Sequence, residues 1–390
     1  MFVGLILNLL QLFLCLTVKL SDHFQWRRWH KRANGLLVYL LYTQPIFLIY
    51  FWTRVELAVH LQHKNLISYV RENIMGIIIA NHTYELDWLM CFLLADQLGN
   101  IGAYKSFAKD ELKYLPVIGW SFWMTDLIYV KRNWEQDRLG MEKKLDELLV
   151  YDQMLLGIFA EGTRLTKEKY AEAREFAVSK KLEPYKYHLF PRARGFNFTL
   201  RHYLRAANLE KKMEENLIKL LNVEIVLPER PNFRQFLEGS YIKAEIYCEE
   251  VPVTDEIRQE ALESEDAENC PKLTKLLQDI FRRKDEIIEQ YGADGGFHLP
   301  NEKNPNGTLY PLKKPVGVTV CYIILMSITY GTFAYLAMTV FSGSIKFWTI
   351  VIGSLVSALL MLQRIERESK PNNLRMLKKR SDQALDPKAA

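Results

Sequence analysis

Apolar and polar residues form blocks that separate two membrane-like ends from a mixed central part. Residues 2–18 and 35–53 contain no charged residue, and 316–341 and 345–363 form two further apolar runs joined by a short connection. Because a helix needs about 20 apolar residues to span a bilayer, the last two runs predict a transmembrane hairpin. The first run lacks the charged start and small-residue cleavage site of a signal peptide, so we expect it to be retained as an anchor.

The positions of lysine and arginine predict which side of the membrane the central part faces. The tail after residue 363 is rich in both, which places it in the cytosol, and the hairpin returns the chain to the same side as residues 61–300. The flank between the first two apolar runs is basic as well. If it is also cytosolic, residues 35–53 must dip into the near leaflet and return, bent at Pro45; an ordinary span that breaks the charge rule is the alternative. Three Asn-X-Thr sequons would stay unglycosylated in a cytosolic body: Asn81, Asn197 and Asn306.

Short apolar runs alternate with helical patterns in the central part, which is typical of βαβ units around a mainly parallel sheet. The predicted fold class is therefore α/β, with a mainly parallel sheet flanked by helices, N-terminal membrane-embedded helices and a C-terminal transmembrane hairpin. The pattern predicts five parts: a membrane anchor with the dipping segment (1–60), the α/β domain (61–300), a Pro-rich linker (301–315), the hairpin (316–363) and a basic cytosolic tail (364–390).

Polar residues follow three of the predicted strands directly. The three junctions are MGIIIA (75–80) before Asn81-His82, DLIYV (126–130) before Lys131-Arg132, and MLLGIFA (154–160) before Glu161-Gly162-Thr163-Arg164. The runs are continuous rather than alternating, as in strands buried on both faces. A single junction of this kind would be explained by an ordinary loop exposed to solvent. Since ligands of open α/β sheets bind beyond the carboxyl ends of the strands, three junctions predict one polar site at that edge.

His82 and Asp87 form the candidate catalytic pair. Residues five apart on a regular helix are separated by about 140°, so the two side chains meet only if His82 lies in the strand–helix turn and Asp87 just inside the helix. Thr83 would cap this helix, and Glu85 would be a surface residue that complements its dipole. A carboxylate on one imidazole nitrogen leaves the other as a base. With no Gly-x-Ser-x-Gly elbow, and with Cys91 in an apolar helical stretch, the base would act directly on a substrate hydroxyl.

The remaining strand-end residues suit an anion. Arg164 and Arg132 can fork onto phosphate oxygens, and Lys109 or Lys105 can add a point charge. A base and a phosphate site on a membrane-anchored domain predict a lipid substrate whose hydroxyl lies beside a phosphate.

Composition excludes several other classes of protein. The net charge of the 390 residues is only +5, and no basic stripe with interleaved aromatic residues is present, so we expect no nucleic-acid partner. The five cysteines include no CxxC pair, which predicts neither a zinc site nor structural disulfides. No cofactor and no protein partner are indicated. A non-catalytic membrane scaffold, which would bind partners or anionic lipid through the basic tail, is the alternative from a different class.

Several motifs resemble those of glycerolipid acyltransferases, in order and in spacing. They are the NHxxxxD pattern from Asn81 to Asp87, KDELKYLPVIGW (109–120) followed by YVKRNWEQD (129–137), and EGTR (161–164). The match is to 1-acylglycerol-3-phosphate O-acyltransferases, that is, lysophosphatidic acid acyltransferases. YHLFPRARGF (187–196) and LTKLLQDIFRRKDEIIEQYG (273–292) are similar to the longer animal members with a C-terminal hydrophobic pair. LLNVEIVLPERP (220–231) best resembles the family's final Val-Pro-rich block.

The resemblance implies a function and a set of site residues. His82 would be the general base and Asp87 its partner, and the substrate phosphate would be bound by Lys109, Arg132, Glu161, Gly162, Thr163 and Arg164. Acyl-CoA would donate the acyl group to the sn-2 hydroxyl of lysophosphatidic acid, at the endoplasmic reticulum membrane, with the α/β domain in the cytosol. Lysophosphatidylinositol, lysophosphatidylcholine and lysocardiolipin are alternative acceptors. The second apolar run would be part of a membrane-dipping helical pair beside the active site.

Overall fold

The structure is a computed structural model of the chain and describes residues 2–18, 24–63, 66, 75–115, 118–209, 218–267, 269–294, 296–297, 308–310, 312, 316–340 and 356. Its strands are β1 (Glu56–Leu61), β2 (Met75–Ala80), β3 (Tyr104–Lys109), β4 (Ile128–Val130), β5 (Met154–Ile158), β6 (Ile218–Val226), β7 (Lys243–Val251) and β8 (Thr308–Leu309). The helices are α1 (Phe2–Val18), α2 (Phe24–Phe47), α3 (Asp87–Gln97), α4 (Ile118–Met124), α5 (Trp134–Leu148), α6 (Lys167–Ser179), α7 (Ala193–Leu209), α8 (Phe233–Leu237), α9 (Asp255–Glu263), α10 (Pro271–Asp294) and α11 (Val316–Val340).

The described strands form one sheet in the order β4-β3-β5-β2-β6-β7-β1-β8. Pairing is parallel from β4 through to β6 and between β7 and β1, and it is antiparallel only for β6–β7 and β1–β8. The predicted mainly parallel α/β sheet is therefore confirmed. Because β4, β3, β5, β2 and β6 run in the same direction, their carboxyl ends lie side by side along one edge.

Two predicted strands are shorter than their apolar runs. β4 begins at Ile128 because Asp126 occupies a left-handed turn (φ 64°), where it binds Lys31 and Lys144. β5 ends at Ile158 because Phe159 leaves the strand and packs on the His82 ring, with 4.7 Å between ring centroids. Only β2 matches its run residue for residue.

Helices cover both faces of the sheet. On one face α2 and α3 pack together through Tyr42 and Phe92, whose ring centroids are 4.3 Å apart, and both side chains are buried in the core. On the other face α5, α7 and α10 supply a second core that includes Leu145, Phe196 and Phe281. Burial on both faces explains why the strands are continuous apolar runs.

The N-terminal helices differ from their predicted bounds. α2 begins at Phe24, includes Pro45 and continues into a π-helical turn at Leu48–Trp52, so it joins the basic flank to the predicted dipping segment. Gln25–Trp52 is the one stretch of the described chain that is long and apolar enough to cross a membrane. β1 already begins at Glu56, inside the part predicted as the anchor.

The C-terminal hairpin is described only in its first half. α11 covers the first of the two predicted apolar runs. Apart from Val356, the second run lies outside the described residues, as does the whole of the basic tail. β8 lies within the predicted linker and pairs with β1 through two residues.

Candidate active site

His82 and Asp87 meet at the end of the central strand β2. The chain leaves β2 at Ala80, turns through residues 81–86 and enters α3 with Asp87 as its first residue. His82 Nδ1 lies 3.1 Å from Asp87 Oδ2, and the same oxygen accepts the Tyr84 N–H at 2.9 Å. The predicted geometry, a histidine in the turn and a carboxylate just inside the helix, is the geometry observed.

The two members of the pair differ in exposure. The Asp87 side chain is fully buried, whereas 26% of the His82 side chain is exposed. Burial raises the pKa of the Asp87 carboxyl above its ordinary value, and the hydrogen bonds from His82 and from the Tyr84 N–H offset part of this shift. A carboxylate on Nδ1 places the imidazole proton there and leaves Nε2 as the basic nitrogen. Thr83 does not cap α3: the N-cap position is Leu86, without a side-chain bond.

Glu161 anchors the backbone that carries the pair. Its carboxylate is buried and accepts the backbone N–H of His82 at 2.7 Å and that of Leu189 at 3.1 Å. The Leu165 N–H in turn donates to the His82 carbonyl at 2.8 Å. Burial raises the pKa of the Glu161 carboxyl, while nearby His188 and the two N–H donors lower it. Phosphate binding by Glu161 stays a prediction, but the structure directs both of its oxygens to the backbone.

Glu85 contradicts its predicted role as a surface residue. Its side chain is only 9% exposed and lies in the turn before α3 rather than in the helix. Oε1 lies 3.5 Å from Arg164 Nη1, and Oε2 accepts the Phe233 N–H at 2.9 Å. Glu85 therefore connects the EGTR segment to the start of α8. Its partner Arg164 is one of the residues predicted to bind the substrate phosphate.

Strand β6 lies beside the turn that carries His82. Asn81 in this turn exchanges two hydrogen bonds with Ile225 of β6, at 2.9 and 2.8 Å. This places LLNVEIVLPERP (220–231) next to β2. Arg230 in this segment has a left-handed backbone (φ 48°), and its Nη1 is buried without a hydrogen-bond partner among the described residues. Sequence reasoning missed Arg230, and no motif marks it.

Arg132 lies in a strained turn at the end of β4. Its backbone is left-handed (φ 63°), which is costly for a residue with a side chain. Buried Asp137 holds this turn, because its two oxygens accept the Lys131 N–H at 2.8 Å and the Asn133 N–H at 3.1 Å. Arg132 itself is exposed. Lys109 is exposed too and ends the neighbouring strand β3, where it pairs in register with Val130.

Gly162 and Thr163 form the turn after β5, and an arginine that sequence reasoning missed packs on it. Gly162 has a left-handed backbone (φ 69°), and a Cβ there would lie 2.9 Å from Cδ of Arg192 and 3.2 Å from its Nε. The Arg192 N–H donates to the Ala160 carbonyl at 2.8 Å. A side chain at position 162 would displace Arg192, so the glycine is required by both its backbone and its neighbour.

Lys105, the second lysine considered for the anion, lies elsewhere. It is buried at the start of β3, with its Nζ 4.8 Å from the Tyr151 ring centroid. Burial lowers the pKa of Lys105 to about 7, against the opposing effect of Asp126. The structure thus brings His82, Lys109, Arg132 and residues 161–164 to one edge of the sheet and leaves Lys105 in the core.

A buried network of charged residues holds the segment next to Glu161. His188 lies between two carboxylates, with Nδ1 2.7 Å from Asp285 of α10 and Nε2 3.1 Å from Glu224 of β6. Lys284 adds a third contact, 3.2 Å from Glu224. Burial alone would lower the pKa of His188, but Glu224 and Asp285 outweigh it and raise that pKa to about 10. His188 directly precedes Leu189, so the network fixes the segment that Glu161 holds.

Comparison with known proteins identifies the family. Residues 63–193 match the family model described as Acyltransferase. The 1-acyl-sn-glycerol-3-phosphate acyltransferase delta of Mus musculus is 30% identical over 359 residues, which cover 92% of this chain and 85% of that protein. The chain belongs to the 1-acyl-sn-glycerol-3-phosphate acyltransferase family. The Homo sapiens delta protein is 28% identical over 87% of this chain, and the Mus musculus gamma protein is 27% identical over 85%.

Membership of the 1-acyl-sn-glycerol-3-phosphate acyltransferase family makes this protein an acyltransferase enzyme of phospholipid metabolism. The predicted resemblance is confirmed, and the non-catalytic scaffold loses its support. One solved structure, the 1-acyl-sn-glycerophosphate (LPA) acyltransferase PlsC from Thermotoga maritima, aligns with 73% of this chain and 96% of its own. The sequence identity is 14% and the TM-score 0.31.

Proposed function

We propose that this acyltransferase moves a fatty acyl group from acyl-CoA to the sn-2 hydroxyl of lysophosphatidic acid, giving phosphatidic acid. The observation that carries the proposal is the 3.1 Å contact between His82 Nδ1 and buried Asp87, at a sheet edge that also holds exposed Lys109 and Arg132. A positioned base beside cationic groups suits an acceptor whose hydroxyl neighbours a phosphate.

In the proposed mechanism His82 is the general base. Nε2 takes the proton of the sn-2 hydroxyl while the oxygen attacks the carbonyl carbon of the thioester. The C–S bond then breaks, coenzyme A leaves as a thiolate, and the proton on His82 neutralises the thiolate. Asp87 stabilises the imidazolium between the two proton transfers. General base catalysis supplies roughly 10²–10⁴-fold, and the rest comes from positioning.

A direct transfer without an acyl-enzyme is supported by the state of Cys91. Its side chain is buried in α3, one turn after Asp87. Burial, reinforced by nearby Asp87, raises the pKa of the Cys91 thiol to about 12. A buried thiol that resists ionisation is unsuited to nucleophilic attack on a thioester.

The oxyanion of the tetrahedral intermediate needs hydrogen-bond donors, and the turn after β5 is their proposed source. Within this turn the Gly162 N–H already donates to the Phe159 carbonyl at 2.9 Å, and the Leu165 N–H donates to the His82 carbonyl at 2.8 Å. The backbone of Thr163 and Arg164 between them is therefore the proposed donor segment.

Acyl transfer to a panel of acceptors tests the proposed function. Purified full-length protein is given acyl-CoA with lysophosphatidic acid, lysophosphatidylinositol or lysophosphatidylcholine, and coenzyme A release is measured for the wild type and for His82→Ala. We expect the highest kcat/KM with lysophosphatidic acid and a loss of about 10²-fold or more in His82→Ala, since the base is removed.

Two results would contradict the proposal. Near wild-type transfer by His82→Ala would remove His82 from the chemistry. A kcat/KM that is higher with lysophosphatidylinositol or lysophosphatidylcholine than with lysophosphatidic acid would make that lysophospholipid the acceptor instead. We also propose an endoplasmic reticulum location with the α/β domain in the cytosol, which protease protection in microsomes tests.

A further inference from the structure

Arg132 and Arg192 are two arginines whose backbones are fixed by hydrogen bonds to neighbouring residues, while their guanidinium groups form no ion pair with a carboxylate among the described residues. Asp137 clamps the left-handed turn that carries Arg132 by accepting the N–H groups on either side of it. Arg192 is pinned to the end of β5 by its backbone bond to Ala160, and its side chain lies over Gly162. Backbone strain that the surroundings maintain is a sign of function.

The two segments that carry these arginines pack against each other. Trp134, two residues after Arg132, contacts the start of α7: its ring lies 5.6 Å from the Arg194 guanidinium and 5.3 Å from the Phe198 ring. The pKa of Arg132 is lowered, first by partial burial of the guanidinium and then by the positive charge of Arg192, while Glu111 acts in the opposite direction. The two like charges thus lie on segments that pack together.

Neither guanidinium forms an ion pair with a carboxylate in the part of the chain that the structure describes. Arg164 provides the contrast, because Glu85 already engages it. Two arginines held near each other, and repelling each other in the absence of a counter-ion, are the arrangement that a phosphate with two negative charges stabilises.

We propose that Arg192 and Arg132 clamp the phosphomonoester of the acceptor, so that Arg192 selects lysophosphatidic acid over lysophospholipids whose phosphate is a diester. The inference rests on the proposed function and names two side chains that would read the headgroup. A phosphomonoester carries a charge of about −1.5 to −2 near neutral pH and three terminal oxygens, which two guanidinium forks complement. A diester carries one charge and offers two such oxygens.

The position of the clamp fits the acceptor. Gly162 directly follows Glu161, whose carboxylate accepts the backbone N–H of His82 at 2.7 Å, and Arg192 lies over Gly162. In lysophosphatidic acid the phosphate and the reacting hydroxyl are on adjacent carbons, so the acceptor needs its base and its phosphate site on neighbouring turns such as these.

Steady-state kinetics of Arg192→Gln tests the clamp. We expect the KM for lysophosphatidic acid to rise about tenfold to a hundredfold, as for loss of a charge-assisted hydrogen bond, with kcat and the KM for acyl-CoA unchanged. The KM for lysophosphatidylinositol should stay within about twofold. Arg192→Lys, which keeps the charge without the fork, should recover part of the loss. Arg138→Gln removes an equal charge from the exposed surface of α5 and is the matched control, with no change in any KM.

The pH dependence gives a readout that a structural role would not move. The second ionisation of a phosphomonoester has a pKa near 6, so lowering the pH from about 7.5 to about 5.5 converts the dianion to the monoanion. The wild-type KM for lysophosphatidic acid should rise across this range, and the rise should be much smaller in Arg192→Gln. Lysophosphatidylinositol, whose phosphate does not titrate there, should show no such difference.

The outcomes separate this inference from the proposed function. A wild type that acylates no lysophosphatidic acid would overturn both. An active wild type whose KM for lysophosphatidic acid is the same in Arg192→Gln would overturn the clamp alone. An equal rise in KM for both acceptors, or a rise in the KM for acyl-CoA, would also overturn it. A melting temperature equal to that of the wild type shows that Arg192→Gln is folded, and Arg192→Lys provides the test if it is not.

Discussion

At the scale of single residues, two buried carboxylates divide the work of positioning His82. Asp87 holds the imidazole ring through Nδ1, whereas Glu161 holds the His82 backbone through its N–H. In the proposed mechanism neither carboxylate touches a substrate atom, so both are positioning residues. Because Nδ1 is bound to Asp87, Nε2 is the ring nitrogen available to a substrate.

Replacing Asp87 should separate stability from activity. Asp87 makes both contacts through Oδ2, so an amide oxygen at that position keeps them in Asp87→Asn but removes the negative charge that stabilises the imidazolium in the proposed mechanism. We expect kcat to fall by about 10²–10⁴-fold. Because burial raises the folded-state pKa of Asp87, the contribution of this group to stability is fully present below its unfolded-state pKa and is lost as the pH rises through the folded-state pKa. The variant lacks this decline.

The measurement is kcat together with the melting temperature at neutral pH, where the melting temperature of Asp87→Asn should equal or exceed that of the wild type. Asp96→Asn is the matched control: it changes a carboxylate of the same helix whose pKa burial raises to about 6, and it should leave kcat unchanged. A variant that loses activity only in proportion to unfolded protein would contradict the assignment.

The sequence predicted the pair because the interaction is local. His82 and Asp87 are five residues apart, and the end of an apolar run located the turn between them. Glu85 and Arg192 could not be assigned in this way, since their partners are in distant parts of the chain: Phe233 for Glu85, and Gly162 for Arg192. The sequence shows which polar residues follow each strand. It does not show which strand ends are neighbours, because that depends on the order of the strands in the sheet.

At the scale of elements, α10 does more than cover the sheet. Its Leu277 and Phe281 are part of the core, and it also carries Asp285, which accepts the N–H groups of Lys186 and Tyr187 and contacts His188. The helix thereby fixes the segment 186–189, whose last N–H binds Glu161. A helix far along the chain from β2 thus supports the turn that carries His82.

His188 should make stability depend on pH on the alkaline side. Its folded-state pKa is raised to about 10, against an ordinary value of about 6.5 in the unfolded chain. The contribution of the imidazolium is therefore fully present below about pH 6.5 and is lost as the pH rises through about 10. Chemical denaturation of the wild type from neutral pH to about pH 10 should show a fall in the free energy of unfolding that His188→Gln does not share.

His202→Gln is the control for this measurement. His202 is less buried than His188 but also lies beside a carboxylate, 3.0 Å from Asp146, and its pKa is lowered, first by burial. A group with that shift gives no loss of stability on the alkaline side. Parallel pH profiles for the wild type and His188→Gln would show that His188 is not charged in the folded protein.

At the scale of the whole molecule, α2 lies along the α/β body from end to end. Near its start Lys31 pairs with Asp126 at 2.6 Å, in its middle Tyr42 donates to Thr125 at 3.1 Å, and beyond its end Trp52 donates to the Leu237 carbonyl at 2.9 Å. The basic flank that looked like a topogenic signal is therefore also a set of ion-pair partners. Both ends of the helix contact the same body.

Two of the three sequons cannot report the side of the membrane. Asn81 and Asn197 are each only 2% exposed. Asn81 is bonded to Ile225, and Asn197 donates to Thr274 at 2.8 Å. Neither side chain would accept a glycan once the domain is folded, on whichever side it faces. The glycosylation test from the sequence therefore has to rely on Asn306, which lies outside the described residues.

Cysteine accessibility can determine whether α2 crosses the membrane. Arg27 and Arg54 are exposed and flank the apolar stretch, so Arg27→Cys and Arg54→Cys place one thiol at each end. Because both ends contact the body, an impermeant maleimide should label both variants from the cytosolic face of sealed microsomes. Cys15 and Cys321 are replaced beforehand, and buried Cys91, Cys248 and Cys270 should react only after denaturation. If only one of the two variants is labelled before the membrane is permeabilised, α2 is an ordinary transmembrane span. The body and the basic flank would then lie on opposite sides of the membrane.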